Sequence, residues 1–314
     1  MGTQAVMASL VLAAAGLSCA SCAGTEQPVA LGEPIVVEQG SFKRGALPAD
    51  TNETDGGVTP RVNTYTLATG VLNPGARQVL LSGSASSAAY SVGVRLASQG
   101  SGYWVQAMGS EDPLNPGQLT WSVPLDASSS IEPGLNTLEI VAFDKEGRAG
   151  SKVQLPVCVA SELPDNLNVC NPKTLPPLAI ASLSWNADAD VDLTIVAPDG
   201  TTYGRSKRSL LSGTTVIASL DVDGVTGCLV DGRRMENFSW NDGTPAGVWK
   251  VYANLFDACG VPGVEFDLTV YQRQANADGT FALNKAHSVH GSFVRQQANG
   301  GAGAPLYVTD VQFQ

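Results

Sequence analysis

The stretch that most constrains the fold is Trp185 to Gly200, W-N-A-D-A-D-V-D-L-T-I-V-A-P-D-G. Strand side chains alternate with a period of two, so Val191, Leu193 and Ile195 share one face and Asp190, Asp192 and Thr194 the other. Pro198-Asp199-Gly200 closes the segment with a turn, because proline presets φ and glycine tolerates positive φ. A second acidic pair with the same spacing, Asp221 and Asp223, follows in L-D-V-D-G. A chain built this way must bury one face of a strand while gathering carboxylates beside the other.

The rest of the sequence repeats that style. Glycine totals 34, proline 18, and charged residues are only 15% of the 314 positions. Short Val/Thr-rich runs recur between turn residues, with little helical periodicity, and this predicts an all-β protein of two β-sandwich domains. In the first domain, strands are expected at 78–82, 90–96, 103–107, 119–123, 137–143 and 152–157. The run I-E-P-G-L-N-T-L-E-I-V-A-F-D-K-E-G-R, Ile131 to Arg148, resembles the penultimate strand and hairpin of bacterial immunoglobulin-like domains. That resemblance implies an immunoglobulin-like sandwich over 61–160. Residues 161–177, rich in proline and asparagine, read as a linker, and 178–314 as a second sandwich of jelly-roll or immunoglobulin-like type.

Ahead of these domains, residues 1–18 read as a signal peptide, apolar and uncharged. The run is too short and too interrupted for a span, which needs about 20 apolar residues. Leu17-Ser18-Cys19 resembles a bacterial lipoprotein cleavage site, making Cys19 the expected lipidated residue and Cys22 the alternative. Residues 19–60, rich in Glu, Gly, Pro and Thr, read as a disordered tether, with a short strand conceivable at 34–38. The remaining cysteines, Cys158, Cys170, Cys228 and Cys259, form an even set suited to disulfides in an exported protein. Sequence proximity favours Cys158–Cys170 and Cys228–Cys259 among the three pairings. Zinc is disfavoured, since no C-x-x-C occurs among them and no histidine lies near.

Four blocks in the second domain appear in a fixed order: D-V-D-L-T-I-V-A-P-D-G (190–200), L-D-V-D-G (220–224), M-E-N-F-S-W (235–240) and P-A-G-V-W-K-V-Y-A-N (245–254). Together they resemble the YfaP-type domain of exported bacterial proteins, over about 175–275 and onward to the C-terminus. Met235 stands where that pattern has proline, and Trp249 where it has tyrosine. The resemblance implies a β-sandwich without established enzymatic activity. Downstream, 264–274 reads as a further strand, and 286–295 with 305–314 as a last pair.

The carboxylates carry the chemistry. Asp190, Asp192, Asp221 and Asp223 are the candidate ligands of a calcium ion, with Asp188 and Glu236 secondary, because calcium takes six to eight oxygen ligands. Solvated turn-capping aspartates are the plainer alternative. Glycoside hydrolysis would need one acid held protonated opposite a base, and nothing in the spacing signals it. His287 and His290, three apart on a strand, make a poor metal pair and read as rim residues. Arg205, Lys207, Arg208, Arg233 and Arg234 form small basic clusters able to pair with the acidic set or bind an acidic glycan. Trp104 and Trp121 read as packing residues, with a carbohydrate platform as the sharper alternative. The net charge of −11 argues against nucleic-acid binding. The function expected is a non-catalytic, calcium-stabilised binding or adhesion protein of the cell envelope, reaching the membrane through a lipid anchor and meeting a glycan or envelope protein. The alternatives are a carbohydrate-binding component and a hydrolase using the Asp/Glu cluster.

Overall fold

The structure, a computed structural model, describes residues 32–51 and 59–314. The first ten strands are β1 (Ile35–Val36), β2 (Ser41–Arg44), β3 (Val62–Leu67), β4 (Val71–Leu72), β5 (Val79–Ser86), β6 (Ser91–Leu96), β7 (Gly102–Ala107), β8 (Gln118–Ala127), β9 (Gly134–Phe143) and β10 (Val153–Val159). They form two sheets in the orders β1-β8-β5-β3 and β2-β7-β6-β9-β10-β4. Alternating residues of both sheets interdigitate in one core, in which Leu81, Val92, Val94, Leu138 and Ile140 are fully buried. Each strand expected between 78 and 157 is found, most of them longer than expected, while the one expected at 90–96 runs Ser91–Leu96.

The tether expectation needs correction. Residues 35–44, placed in a disordered segment by their composition, supply the edge strands of both sheets. β1 pairs with β8 and β2 with β7. Ile35, Val37 and Phe42 are buried, and the Trp104 indole donates to the Ile35 carbonyl at 2.7 Å. Averaged composition hid three apolar residues spaced for burial. Residues 1–31, including the expected signal peptide and Cys19 or Cys22, lie outside the described residues.

The second sandwich comprises β11 (Ala179–Trp185), β12 (Asp190–Val196), β13 (Thr202–Tyr203), β14 (Ser209–Ser212), β15 (Thr215–Leu220), β16 (Met235–Trp240), β17 (Gly247–Asp257), β18 (Gly263–Ala275), β19 (Phe281–Val294) and β20 (Leu306–Phe313). Its sheets run β14-β15-β16-β11-β18-β19 and β13-β12-β17-β20. The core follows the alternation: Val191, Leu193 and Ile195 of β12, Trp249, Val251 and Ala253 of β17, and Val264, Phe266, Leu268 and Val270 of β18 all face it. Phe238, Trp240, Trp249 and Tyr203 pack ring against ring at its centre, with centroids 4.9–6.1 Å apart. β19 and β20 are not paired with each other as the sequence suggests: β19 adds to β18 and β20 to β17. They close the same side of the sandwich from opposite sheets, and the His287 ring meets the Thr309 hydroxyl at 2.9 Å across it.

Residues 161–177 are tied down rather than loose. The Cys158–Cys170 disulfide closes them at one end. The Asn168 amide donates to the carbonyls of Thr174 and Phe281, and Arg273 donates to the Pro176 carbonyl.

Candidate metal centre

The β12 strand carries the acidic face forward as its alternation requires, yet that face is not solvated. Asp190 is fully buried and Asp192 is 8% exposed. The cover is the connection from β15 to β16, residues 221–234, which leaves one sheet and lays Asp223 and the 3-10 turn Thr226–Cys228 against β12. One carboxylate oxygen from each of Asp190, Asp192 and Asp223 falls in a group whose members all lie within 4.8 Å of one another. The Asp190 Oδ2 accepts from the Gly227 N–H at 2.7 Å. The Oδ1 atoms of Asp190, Asp192 and Asp223 are buried with no hydrogen-bond partner. Buried polar atoms in folded proteins are nearly always satisfied, so a buried, unpartnered oxygen on each of three clustered carboxylates is informative.

The electrostatics agree. Burial, followed by the Asp190 and Asp223 charges, pushes the Asp192 carboxyl up to about 6. Burial also raises Asp190, against the opposing hydrogen bond from Gly227, and the Asp223 charge adds to the rise. Two unit charges within 4.8 Å of each other repel by about 3 kcal/mol or more at an effective dielectric of ~20. The nearby cation is Arg205, whose Nε is 3.6 Å from Asp223 and whose guanidinium sits 4.5 Å over the Phe256 ring. One guanidinium offsets a single carboxylate of the three.

Glu236, expected as a secondary ligand, supports the site from behind instead. It is 1% exposed, its Oε2 accepts the Leu193 N–H at 2.7 Å, and it also accepts from the Gly224 N–H. It thereby joins β12 to the covering connection. Burial, then the neighbouring Asp192 and Asp223 charges, holds its carboxyl well above the usual range. Gly224 fits here because a Cβ would meet the Arg233 carbonyl at 2.9 Å.

Two members of the expected ligand set stand elsewhere. Asp221 turns to the outer face of its sheet, where Oδ1 accepts the N–H groups of Val222 and Asn237 and Oδ2 accepts the Asn237 amide. The pairing of β15 ends at Leu220, so the two-residue spacing from 221 to 223 no longer means a shared face. Asp188 forms an exposed ion pair with Arg234 at 2.7 Å. The basic residues thus serve the acidic set: Arg205 on Asp223, Arg234 on Asp188, and Arg208 donating to the Asp221 carbonyl. The Gly227 amide and Asp257 beside Asp190 have no sequence signature as parts of this site.

Both disulfides follow the favoured pairing, Cys158–Cys170 and Cys228–Cys259. The sulfurs of Cys228 and Cys259 lie near Asp257, but as a disulfide they offer no thiolate. His287 and His290 are exposed on β19, and His290 pairs with Asp267 at 3.1 Å. The carbohydrate platform on Trp104 and Trp121 is overturned, since both are buried, at 7% and 2% exposure. A cleft of about 430 Å³ opens between the sandwiches, lined by Glu132, Ser182, Ser184, Thr269 and Tyr271 among others. It does not include the aspartates. Among the described residues no helix is long and apolar enough to cross a membrane.

No family model matches the chain, and no curated protein matches it. Among solved structures, the chain is similar to BcpA, the major pilin subunit of Bacillus cereus, at 10% identity, covering 76% of this chain and 68% of that one with a TM-score of 0.21. A point variant of that pilin matches at 11% identity, covering 81% of this chain and 66% of the pilin with a TM-score of 0.20. The chain thus spans about two thirds of the pilin's length, and overlap this loose carries no argument about what it does.

Proposed function

We propose that the protein is an exported, non-catalytic binding or adhesion module of the bacterial cell envelope, lipid-anchored through Cys19 or Cys22. Its second sandwich holds a structural calcium ion on Asp190, Asp192 and Asp223. The observation that carries the cation reading is that three clustered carboxylates each keep a buried oxygen without a partner. An all-oxygen donor set favours calcium, magnesium or manganese over softer metals. Carboxylates drawn from a strand and an irregular connection suit calcium, which accepts flexible geometry, better than magnesium, which demands a near-ideal octahedron.

The two disulfides support export, and the enclosure of the acidic group supports a structural rather than a catalytic role. A glycosidase needs its carboxylates across an open cleft, whereas Asp190 is inaccessible. The YfaP-type reading of 175–275 rests on the four sequence blocks and fits the same non-enzymatic role.

The test is thermal unfolding of the metal-freed protein in calcium and in chelator, with calcium titrated calorimetrically. A ligand bound only by the folded state adds about 2.7 kcal/mol at a hundredfold excess over Kd. A melting temperature indifferent to both calcium and chelator would remove the cation from the proposal.

A further inference from the structure

The connection from Leu220 to Met235 that supplies Asp223 has no strand partner along its length. Its ends are held by Asn237 and Arg208 on Asp221 and by Asp188 on Arg234, and Val225 is buried in the core; nearer the site it is held by Gly227 to Asp190, Gly224 to Glu236 and Arg205 to Asp223. Its covalent tie is Cys228–Cys259, which fastens it to the turn after β17, 31 residues on in sequence. Asp257, the last residue of β17 before that turn, pairs in register with Asp190 and accepts the Cys259 N–H at 2.7 Å. The backbone here also leaves its ordinary range. Val225, Gly227, Cys228 and Cys259 have φ of 55°, 60°, 65° and 48°. Left-handed non-glycine residues are strained and persist where surrounding structure fixes them.

We infer that the Cys228–Cys259 disulfide is the positioning element of the cation site, so that calcium affinity depends on its being oxidised. The inference rests on the calcium reading above. The bridge holds Asp223 and the Gly227 amide against β12, converting a ligand on a long connection into a preorganised one. Without it, the connection must be ordered at the moment of binding, and that ordering is subtracted from the affinity. Supporting groups around a metal are typically worth 10- to 100-fold in affinity. The coupling is reciprocal: whatever factor the bridge adds to calcium binding, calcium adds to the stability of the bridge.

The experiment uses the full chain with both bridges formed and calcium chloride as the probe. Calorimetric Kd values are compared for the native protein, the double variant Cys228→Ser/Cys259→Ser, and the control Cys158→Ser/Cys170→Ser in the other bridge. The first variant is expected to bind at least about tenfold more weakly, with the control within about twofold of native. In a second arm the native protein is equilibrated with dithiothreitol, which passes two electrons and two protons to Cys228 and Cys259 and leaves as its cyclic disulfide. Saturating calcium should shift that equilibrium toward the oxidised protein by the same factor, whether or not the serine variant folds. Unchanged Kd in a folded variant, or a reduction equilibrium indifferent to calcium, would overturn the inference while leaving the cation site standing. If the native protein itself binds no calcium, both readings fall.

Discussion

The Gly227 N–H donates to Asp190 Oδ2 at 2.7 Å, while the other oxygen of the same carboxylate is buried with no partner. One side chain thus fixes the covering connection and, clustered with Asp192 and Asp223, still keeps an oxygen without a partner. The arrangement is stable to the extent that something positive occupies the point where the three meet, because buried like charges are costly alone.

Asp192→Asn tests that balance from both sides. The amide is nearly isosteric and carries no charge. In chelator the variant should be more stable than native at pH 7, by about 1–3 kcal/mol, since its partners lose a repelling neighbour. In saturating calcium the order should reverse, because a ligand is missing. Chemical denaturation in the two conditions measures both differences; a variant destabilised equally in each would point to packing alone.

The pH dependence has a definite sign. Asp192 is raised from 3.8 to about 6 in the folded protein. The folded state therefore holds the proton more tightly than the unfolded chain. This contribution is fully present below about pH 4 and is lost as pH rises through about 6. In chelator, melting temperature should fall between about pH 4 and pH 6. Calcium binding requires the ionised carboxylate, so with calcium the trend should flatten or invert over the same window.

What was legible in the sequence was whatever follows from alternation. Val191, Leu193 and Ile195, and Trp249, Val251 and Ala253, are buried as their spacing dictates, and both disulfides join near neighbours. Alternation says nothing once a strand ends. Asp223 joins the site and Asp221 does not, because pairing stops at Leu220. It is also silent on which sheet a strand joins, so nothing in the sequence separates β19 on β18 and β20 on β17 from a hairpin of the two. Composition misled at 35–44, where Ile35, Val37 and Phe42 are too few to shift an average but enough to anchor two edge strands.

Glu236 bears structural weight through two amides. Glu236→Ala would leave the buried Leu193 and Gly224 N–H groups without their acceptor, at about 1–3 kcal/mol for each group so stranded. Glu236→Gln retains an acceptor oxygen and should lose less. Urea unfolding of the two variants in chelator gives the comparison. Equal losses would mean that the charge of Glu236, rather than its acceptor geometry, is what matters.

The edge strands at 35–44 set where the first sandwich begins. A chain starting at Arg61 would lose β1 and β2, expose the faces of β8 and β7 that they cover, and leave the Trp104 indole without the Ile35 carbonyl. Burying a side chain of the size of Ile35, Val37 or Phe42 contributes about 1.5–3 kcal/mol. Removing all three should consume most of the 5–15 kcal/mol that a domain typically has. The chain from Arg61 should therefore show a first unfolding transition far below that of a chain from residue 32, with the transition of the second sandwich unmoved. Scanning calorimetry of the two distinguishes this from a dispensable tether, for which both transitions would coincide.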